Sequence, residues 1–248
     1  MNTELSRTKI ASLHANTETF ERRLASAQEI VTRALAACGS WYVGFSTGKD
    51  STVVLHLVHT QKADVPFLYG DEEWLLPESA AYLDRMAAAH PNLLHRIKSA
   101  DTHALWFQTW QDDPDAIHSS NASGEYARAR GWQGAFLGLR AEENGRRRVF
   151  LRTMGPLFRA QGDGLWYCNP LWNWTWRDVW AYLLTFKVDY NRAYDRLAAI
   201  GVPPERQRIG PLAAERAIGY GQLAILKRGW PDLFNEFAAK YPEARGYV

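Results

Sequence analysis

The chain has 248 residues, 46% hydrophobic and 23% charged, with a net charge of +2, the composition of a globular protein long enough to bury the core of one large domain. No apolar run reaches the roughly 18 residues of a membrane span, and the N-terminal MNTELSRTKIASLHANTETFERR lacks the apolar centre of a secretory signal, so a cytoplasmic protein is expected. Two cysteines, Cys38 and Cys168, exclude a disulfide framework and a cysteine-held zinc or iron–sulfur centre.

In chain order, Phe20, Leu24, Ala27, Val31 and Leu35 recur at helical spacing and predict an amphipathic helix over 20–37, ended by Cys38-Gly39-Ser40. Trp41 to Phe45 is a short apolar run that reads as a buried strand, and Ser51 to His59 reads as a helix. A second strand is expected over Val65 to Tyr69, and Pro77 opens a further helix at its favoured first position. Leu93 to Ile97 is a third strand, followed by a Trp-rich helical stretch from Asp101 through Trp110. Residues 112–124, DDPDAIHSSNASG, are the most loop-like and are expected to form a mobile flap. Ala135 to Leu139 is a fourth strand. Strand–helix alternation argues for a mostly parallel sheet with helices on both faces, a Rossmann-like α/β fold.

Beyond Arg140 the rhythm changes. Asn144-Gly145 is a turn signal, and Gly162-Asp163-Gly164 separates residues 149–160 from Leu165 to Cys168. Thr175 with Asp178 forms a capping-box pattern ahead of Val179, Tyr182 and Leu183, and residues 213–241 read as largely helical. The expected organisation is an N-terminal helical segment over 1–38, a nucleotide-binding α/β domain over 39–196 and a C-terminal helical extension over 197–248. Charge is uneven: residues 1–139 hold 12 Lys/Arg against 16 Asp/Glu, a balance of −4, and residues 140–248 hold 17 against 11, a balance of +6. A basic C-terminal half suits a phosphate-rich ligand or a nucleic acid, and equally suits solvated helix faces.

The chemistry is concentrated in Gly44-Phe45-Ser46-Thr47-Gly48-Lys49-Asp50-Ser51. A Walker A loop needs four residues between its glycine and the Gly-Lys pair, followed by Ser or Thr. Here three intervene and Asp50 follows the lysine, so that reading fails. The physics still favours phosphate. Small residues let backbone N–H groups approach an anion, the loop feeds a helix N-terminus whose dipole favours negative charge, and Lys49 adds a mobile ammonium. Ser46, Thr47 and Ser51 add hydroxyl donors.

The segment resembles the PP-loop, S-G-G-K-D-S, of the adenine-nucleotide alpha-hydrolase-like ATP pyrophosphatase superfamily, with Thr47 in place of the first glycine; a positive φ there would be strained. Three further stretches are similar to the PAPS reductase-like branch of that superfamily. They are Phe67 to Glu72 with Leu76-Pro77-Glu78-Ser79; Phe136 to Glu143 with Arg146 to Arg148; and Asn169-Pro170-Leu171-Trp172-Asn173-Trp174-Thr175 through Asp178-Val179-Trp180 to Tyr190-Asn191-Arg192-Ala193-Tyr194-Asp195. Order and spacing hold over roughly residues 40–196.

The resemblance implies binding of ATP, or of PAPS or APS, with Mg²⁺, and attack on the α-phosphate to adenylate an unidentified acceptor and release pyrophosphate. It implies catalytic roles for Lys49, Asp50 and Arg140, and a nucleotide-binding set of Ser46, Thr47, Gly48, Lys49, Asp50, Ser51, Tyr69, Asp71, Gly138, Arg140, Arg147, Arg148 and Arg208. Asp50 and Asp71 are the candidates for magnesium, and Arg206 and Arg208 for a segment that closes over the ligand. Alternatives are a sulfonucleotide reductase-like protein, an FMN adenylyltransferase of the FAD synthetase kind, and an ATP-gated nucleic-acid-modification subunit. Thiol-dependent reduction is not expected, because the C-terminal Cys-Gly motif of the reductases has no counterpart after Cys168. His56 and His59, one helical turn apart without a third ligand, and the tryptophans from 172 to 180 read as structural.

Overall fold

The computed structural model describes residues 3–71, 73–100, 110–119, 121–210 and 221–248. Its elements are α1 (Thr3–Ala15), α2 (Glu18–Ala37), β1 (Trp41–Phe45), α3 (Lys49–His59), β2 (Phe67–Asp71), α4 (Pro77–Ala89) and β3 (Leu94–Lys98). There follow α5 (Ala122–Ala129), β4 (Gly134–Phe136), α6 (Gly145–Met154), β5 (Leu157–Arg159), β6 (Trp166–Cys168), α7 (Trp176–Thr185) and α8 (Ala193–Ala199). A 3-10 turn at Pro204–Arg206 precedes α9 (Gln222–Gly229) and α10 (Pro231–Lys240).

The six strands form one sheet in the order β3-β2-β1-β4-β6-β5. All neighbours run parallel except β5, which pairs antiparallel with β6. Alternation along β1 sets the layers: Trp41, Val43 and Phe45 enter the larger core with Val31 of α2, Val54 of α3 and Trp180 of α7. Tyr42 faces the other side, with Leu68, Ala135 and the alanines Ala122 and Ala127 of α5. Helices therefore cover both faces, as expected from the strand–helix rhythm. Among the described residues no helix is long and apolar enough to cross a membrane.

Successive strands build outward from β1 through β2 to β3, and the chain then returns to place β4 on the other side of β1. The strand order reverses between β1 and β4, and the loops at the carboxyl ends of those two strands diverge to leave a crevice. The segment Ser46-Thr47-Gly48 leaves β1 at this edge, and Gly138 to Arg140 leaves β4 beside it.

Several elements differ from the sequence reading. β4 covers Gly134–Phe136 rather than 135–139, because after Leu137, whose N–H donates to the Cys168 carbonyl, the chain turns towards α3. Asn144 caps α6 instead of forming a free turn, its side chain accepting from Arg147 N–H. Within the expected flap, Ile117 bridges to Ser99 at the end of β3, and α5 begins at Ala122 inside the segment that reads as loop. Residues 101–109, most of the expected Trp-rich helix, lie outside the described residues, as do 211–220 of the C-terminal helical stretch.

The capping box at Thr175 forms as its sequence predicts and carries more than a cap. Fully buried Asp178 accepts from Thr175 N–H (2.6 Å), Thr175 Oγ1 (2.7 Å) and Arg23 of α2 (2.6 Å), and lies 2.7 Å from His14 Nε2 of α1. Burial alone would raise this carboxyl; the hydrogen bonds from His14 and Thr175 and the charge of Arg23 outweigh it and hold it below the usual carboxylate range. One side chain thus ties α1 and α2 to α7. Replacing Asp178 with Ala strands two partly buried partners, and urea unfolding should show a loss on the order of 3–5 kcal/mol, against about 1 kcal/mol for Thr175→Ala. A carboxyl depressed on folding contributes stability above its unfolded pKa of about 4 that is lost as pH falls through its folded value, so the stability gap between wild type and Asp178→Asn should close on acidification below about pH 4.

Candidate functional site

Ser46 to Gly48 connects β1 to α3 in a tight turn held by its own hydroxyls. Ser46 N–H donates to Ser51 Oγ (3.1 Å), and Ser51 Oγ donates to the Gly48 carbonyl (2.9 Å). Thr47 takes φ = +57°, the left-handed conformation in which a β-branched residue is strained, and it is almost wholly buried. Gly48 is the N-cap of α3 with no side-chain cap of its own. The missing partner comes from 145 residues further along the chain: Lys49 N–H donates to the hydroxyl of Tyr194 on α8 (3.0 Å), which is buried against the loop.

Lys49 is 5% exposed, and its ammonium lies 3.1 Å from Asp50 Oδ2 and 5.4 Å from the centre of the Tyr194 ring. It also donates to the backbone carbonyl of Gln207 (3.5 Å). Asp50 Oδ1 accepts from Arg140 Nε at 2.5 Å, and Arg140 Nη1 donates to Glu142 (2.5 Å). Glu142 in turn accepts from Trp176 N–H at the start of α7 (2.7 Å), while Glu143 accepts from Arg140 N–H (3.0 Å) and pairs with Arg147. The result is a chain of alternating charge running from the first turn of α3 to α7.

The charges in this chain are not held equally. Burial would raise Asp50, and the Lys49 and Arg140 cations outweigh it and keep it ionised below the usual range. Burial would lower Arg140, and the carboxylates of Asp50, Glu143 and Glu142 outweigh it and raise it. For Lys49 burial wins over the attraction of Asp50, aided by repulsion from Arg140, and its ammonium is lowered. An anion brought to the helix end would add a second charge partner to the one that Asp50 provides.

Gly138 is what lets the β4 end come this close. A Cβ there would sit 3.0 Å from the backbone carbon of Asp50 and 3.0 Å from Ser51 N. The other sequence candidates divide. Tyr69 is buried in the core with the Arg96 guanidinium 6.0 Å from its ring centre. Asp71 ends β2, where its carboxylate accepts from Arg96 (2.7 Å), and among the described residues no hydrogen bond or ion pair joins it to the Lys49–Asp50–Arg140 cluster. Arg148 is exposed on α6, whereas Arg208 donates to the Glu143 carbonyl (3.3 Å) and joins the rim of the cluster; Arg206 is exposed. His56 and His59 bond to the Tyr182 hydroxyl and the Val65 carbonyl, and Trp174, Trp176 and Trp180 are core, in keeping with their structural reading.

Sequence reasoning assigned no role to Glu142, Glu143, Tyr194 or Gln207. The first three lie inside the motif stretches quoted for the resemblance, two or three residues from Arg140 or within the Tyr190–Asp195 run, so proximity to a motif residue was a usable signal. Gln207 carried none. Among the described residues no group of three or more His, Cys, Asp or Glu is placed to hold a metal ion.

Fold and loop together define a PP-loop protein of mostly parallel, Rossmann-like architecture. Residues 40–201 match the phosphoadenosine phosphosulfate reductase domain, and the chain belongs to that family. It is 29% identical over 201 residues to phosphoadenosine 5'-phosphosulfate reductase of Photobacterium profundum, covering 75% of this chain and 74% of the relative. It is 27% identical over 191 residues to the Vibrio vulnificus enzyme of the same name, covering 71% and 70%. In three dimensions it resembles PAPS reductase of Candida auris in a phosphate complex, with TM-score 0.52, 21% identity, and 68% of this chain and 84% of that chain covered. It also resembles Candida glabrata FMN adenylyltransferase in complex with FMN and an ATP analogue, with TM-score 0.55, 13% identity, and 78% and 67% covered.

Two substitutions test this geometry. Thr47→Gly removes the strained φ and should raise thermal stability by about 1 kcal/mol while preserving the loop. Gly138→Ala pushes backbone against backbone and should destabilise by roughly 1–3 kcal/mol and weaken any ligand of the α3 end, read by melting and by ATP titration.

Proposed function

We propose that this protein binds ATP through Ser46 to Ser51 and transfers its adenylyl group to an acceptor with release of pyrophosphate. The observation that carries the reading is the buried Lys49 ammonium at the N-terminus of α3, which shares Asp50 with Arg140 at the sheet's switch point. A triphosphate laid across the helix end would meet the first-turn N–H donors, the loop hydroxyls and this ammonium together. Attack of an acceptor oxygen on the α-phosphorus forms one P–O bond and breaks the bond to the bridging oxygen, so charge grows on the pyrophosphate that leaves. Lys49 and Arg140 are the cations placed to stabilise that charge, and Asp50, fixed between them, orients both.

The donor set fits magnesium that arrives with the nucleotide. Mg²⁺ keeps several waters and is bound through one or two carboxylates plus phosphates rather than by an all-protein cage. Asp50 is the carboxylate at the loop and Asp71 the one at the neighbouring strand end; each already accepts from a cationic side chain, so neither forms a metal site alone. When bound, the ion would offset phosphate charge.

The reductase names of the relatives favour a second reading, in which the same loop takes PAPS or APS. Reduction by a thiol of this chain is disfavoured on chemistry: Cys168 is fully buried and Cys38 partly so, and burial pushes both thiols up, away from the reactive thiolate. A reductase role would need a thiol supplied by another molecule.

Exchange of labelled pyrophosphate into ATP, in the presence of acceptor-containing extract, separates the readings. Adenylation predicts exchange in wild type and its loss by at least about a hundredfold in Lys49→Ala; stabilisation by PAPS but not by ATP, with no exchange, would support the second reading instead. Tyr194→Phe removes the hydroxyl that accepts from the buried Lys49 N–H, and should weaken ATP binding about tenfold and cost about 1–3 kcal/mol of stability, read by urea unfolding.

A further inference from the structure

Helix α6 has little within the chain to hold it beyond its Asn144 cap. Of its ten residues, Gly145 to Met154, only Leu151 is buried. A helix this short is marginal in water unless tertiary packing supports it. Its charges also work against it. Arg146, Arg147 and Arg148 crowd the first turn, where the helix dipole disfavours cations, and the helix carries no acidic residue. Arg148 and Arg152 stand four residues apart, a like-charge pair on one face. Glu143 matches Arg147. The side chains of Arg146, Arg148 and Arg152 are exposed, and among the described residues none of them forms an ion pair.

The same helix exposes apolar surface. Val149 is 67% exposed, and Phe150 and Met154, one turn apart, are 41% exposed each. Phe150 and Met154 also line a cavity of about 580 Å³ between α6 and the β5–β6 hairpin, together with Leu137, Leu139, Phe158 and Tyr167. Phe150 meets Phe158 edge-on with ring centres 5.5 Å apart, and Phe158 lies nearly parallel to Tyr167 at 5.6 Å. Val149 lies one turn from both Arg146 and Arg152, so the apolar concavity continues into a face framed by cations. Exposed apolar surface with a polar rim marks contact sites, and Arg, Phe and Met are enriched at protein interfaces.

We propose that α6 and the adjoining cavity dock an acidic amphipathic helix of a partner protein. Apolar side chains of that helix enter the cavity beside Phe150 and Met154, and its flanking carboxylates pair with Arg146, Arg148 and Arg152. Charge selects the partner: a second copy meeting this one through α6 would set arginine against arginine. Aliphatic Val149 in the middle of the cationic face favours protein side chains over a phosphate backbone, and a concave apolar wall favours inserted side chains over a flat lipid surface. The docked helix lies beside the nucleotide crevice, because Arg147 pairs with Glu143, which accepts from Arg140 N–H (3.0 Å). Neither the face nor its partner depends on which nucleotide the loop takes.

The probe is a fluorescein-labelled peptide of leucine and glutamate at amphipathic-helix spacing, titrated into the full chain by fluorescence anisotropy. Its control has every leucine replaced by serine at the same charge. The leucine peptide should bind about tenfold more tightly than the serine peptide, and added salt should weaken it. Phe150→Ser should abolish the difference between the two. Arg148→Glu should weaken the leucine peptide about tenfold, yet raise the melting temperature of the free chain by about 1–3 °C, since its like-charge pair with Arg152 becomes an attractive one. No binding of the leucine peptide to wild type, or equal binding of the two peptides, would overturn the proposal without any variant. So would tighter binding of oligo-dT or of phosphatidylserine vesicles, a preference that survives Phe150→Ser, or a loss of stability in Arg148→Glu. Displacement of the peptide by saturating ATP would assign the arginines to the nucleotide and overturn it as well.

Discussion

The architecture turns on how the N-terminus of α3 and a buried lysine are kept together at one edge of a parallel sheet. An ammonium removed from water needs anions around it, and the loop's own chain supplies only Asp50. Its other neighbours come from a distance: the Tyr194 ring from α8 and the Gln207 carbonyl from the segment after it, while Arg140, which follows β4, grips the same Asp50 and repels the ammonium. Strand order makes this convergence possible, because the β1 and β4 loops part at the switch point and open the crevice between them. Within the ion cluster Asp50 and Arg140 are held in their charged forms by their partners, whereas burial lowers Lys49.

Support for that edge reaches the N-terminal helices. Arg7 of α1 is buried against the Trp180 ring (4.0 Å), donates to Asp195 (2.6 Å) and reaches the Tyr194 carbonyl (3.3 Å). The residue whose hydroxyl caps α3 is thus fixed at its backbone by α1, and Asp178 binds α1 and α2 to α7 from the other side. α1 is therefore part of the scaffold of the loop, packed on α7 and α8 rather than an appendage.

Much of this was legible in the amino-acid order, for identifiable reasons. Strands β1 to β3 and helices α2 to α4 carry strong periodicity and end signals such as Cys38-Gly39-Ser40 and Pro77, and the Gly-Lys turn declares its chemistry locally. Thr175 and Asp178 show their cap within three residues. What sequence could not give is long-range pairing. Asp178 as the anchor of His14 and Arg23 and Tyr194 as the cap of Lys49 depend on contacts across tens to hundreds of positions. The β4 boundary was missed because Leu137 to Leu139 keep an apolar look while the backbone leaves the ladder for α3. Asp71, attractive as a carboxylate at a strand end, proved to be matched with Arg96, a partner that β2–β3 register alone decides.

The account stands on the α3 end being where a nucleotide's phosphates rest. A crystal structure with a non-hydrolysable ATP analogue measures this directly. Triphosphate density across Ser46 to Ser51, with Lys49 Nζ and the first-turn N–H groups within hydrogen-bond distance of phosphate oxygens, is the result predicted. The analogue bound with its phosphates elsewhere, and Lys49 still closed against Asp50 and the Gln207 carbonyl, would contradict it.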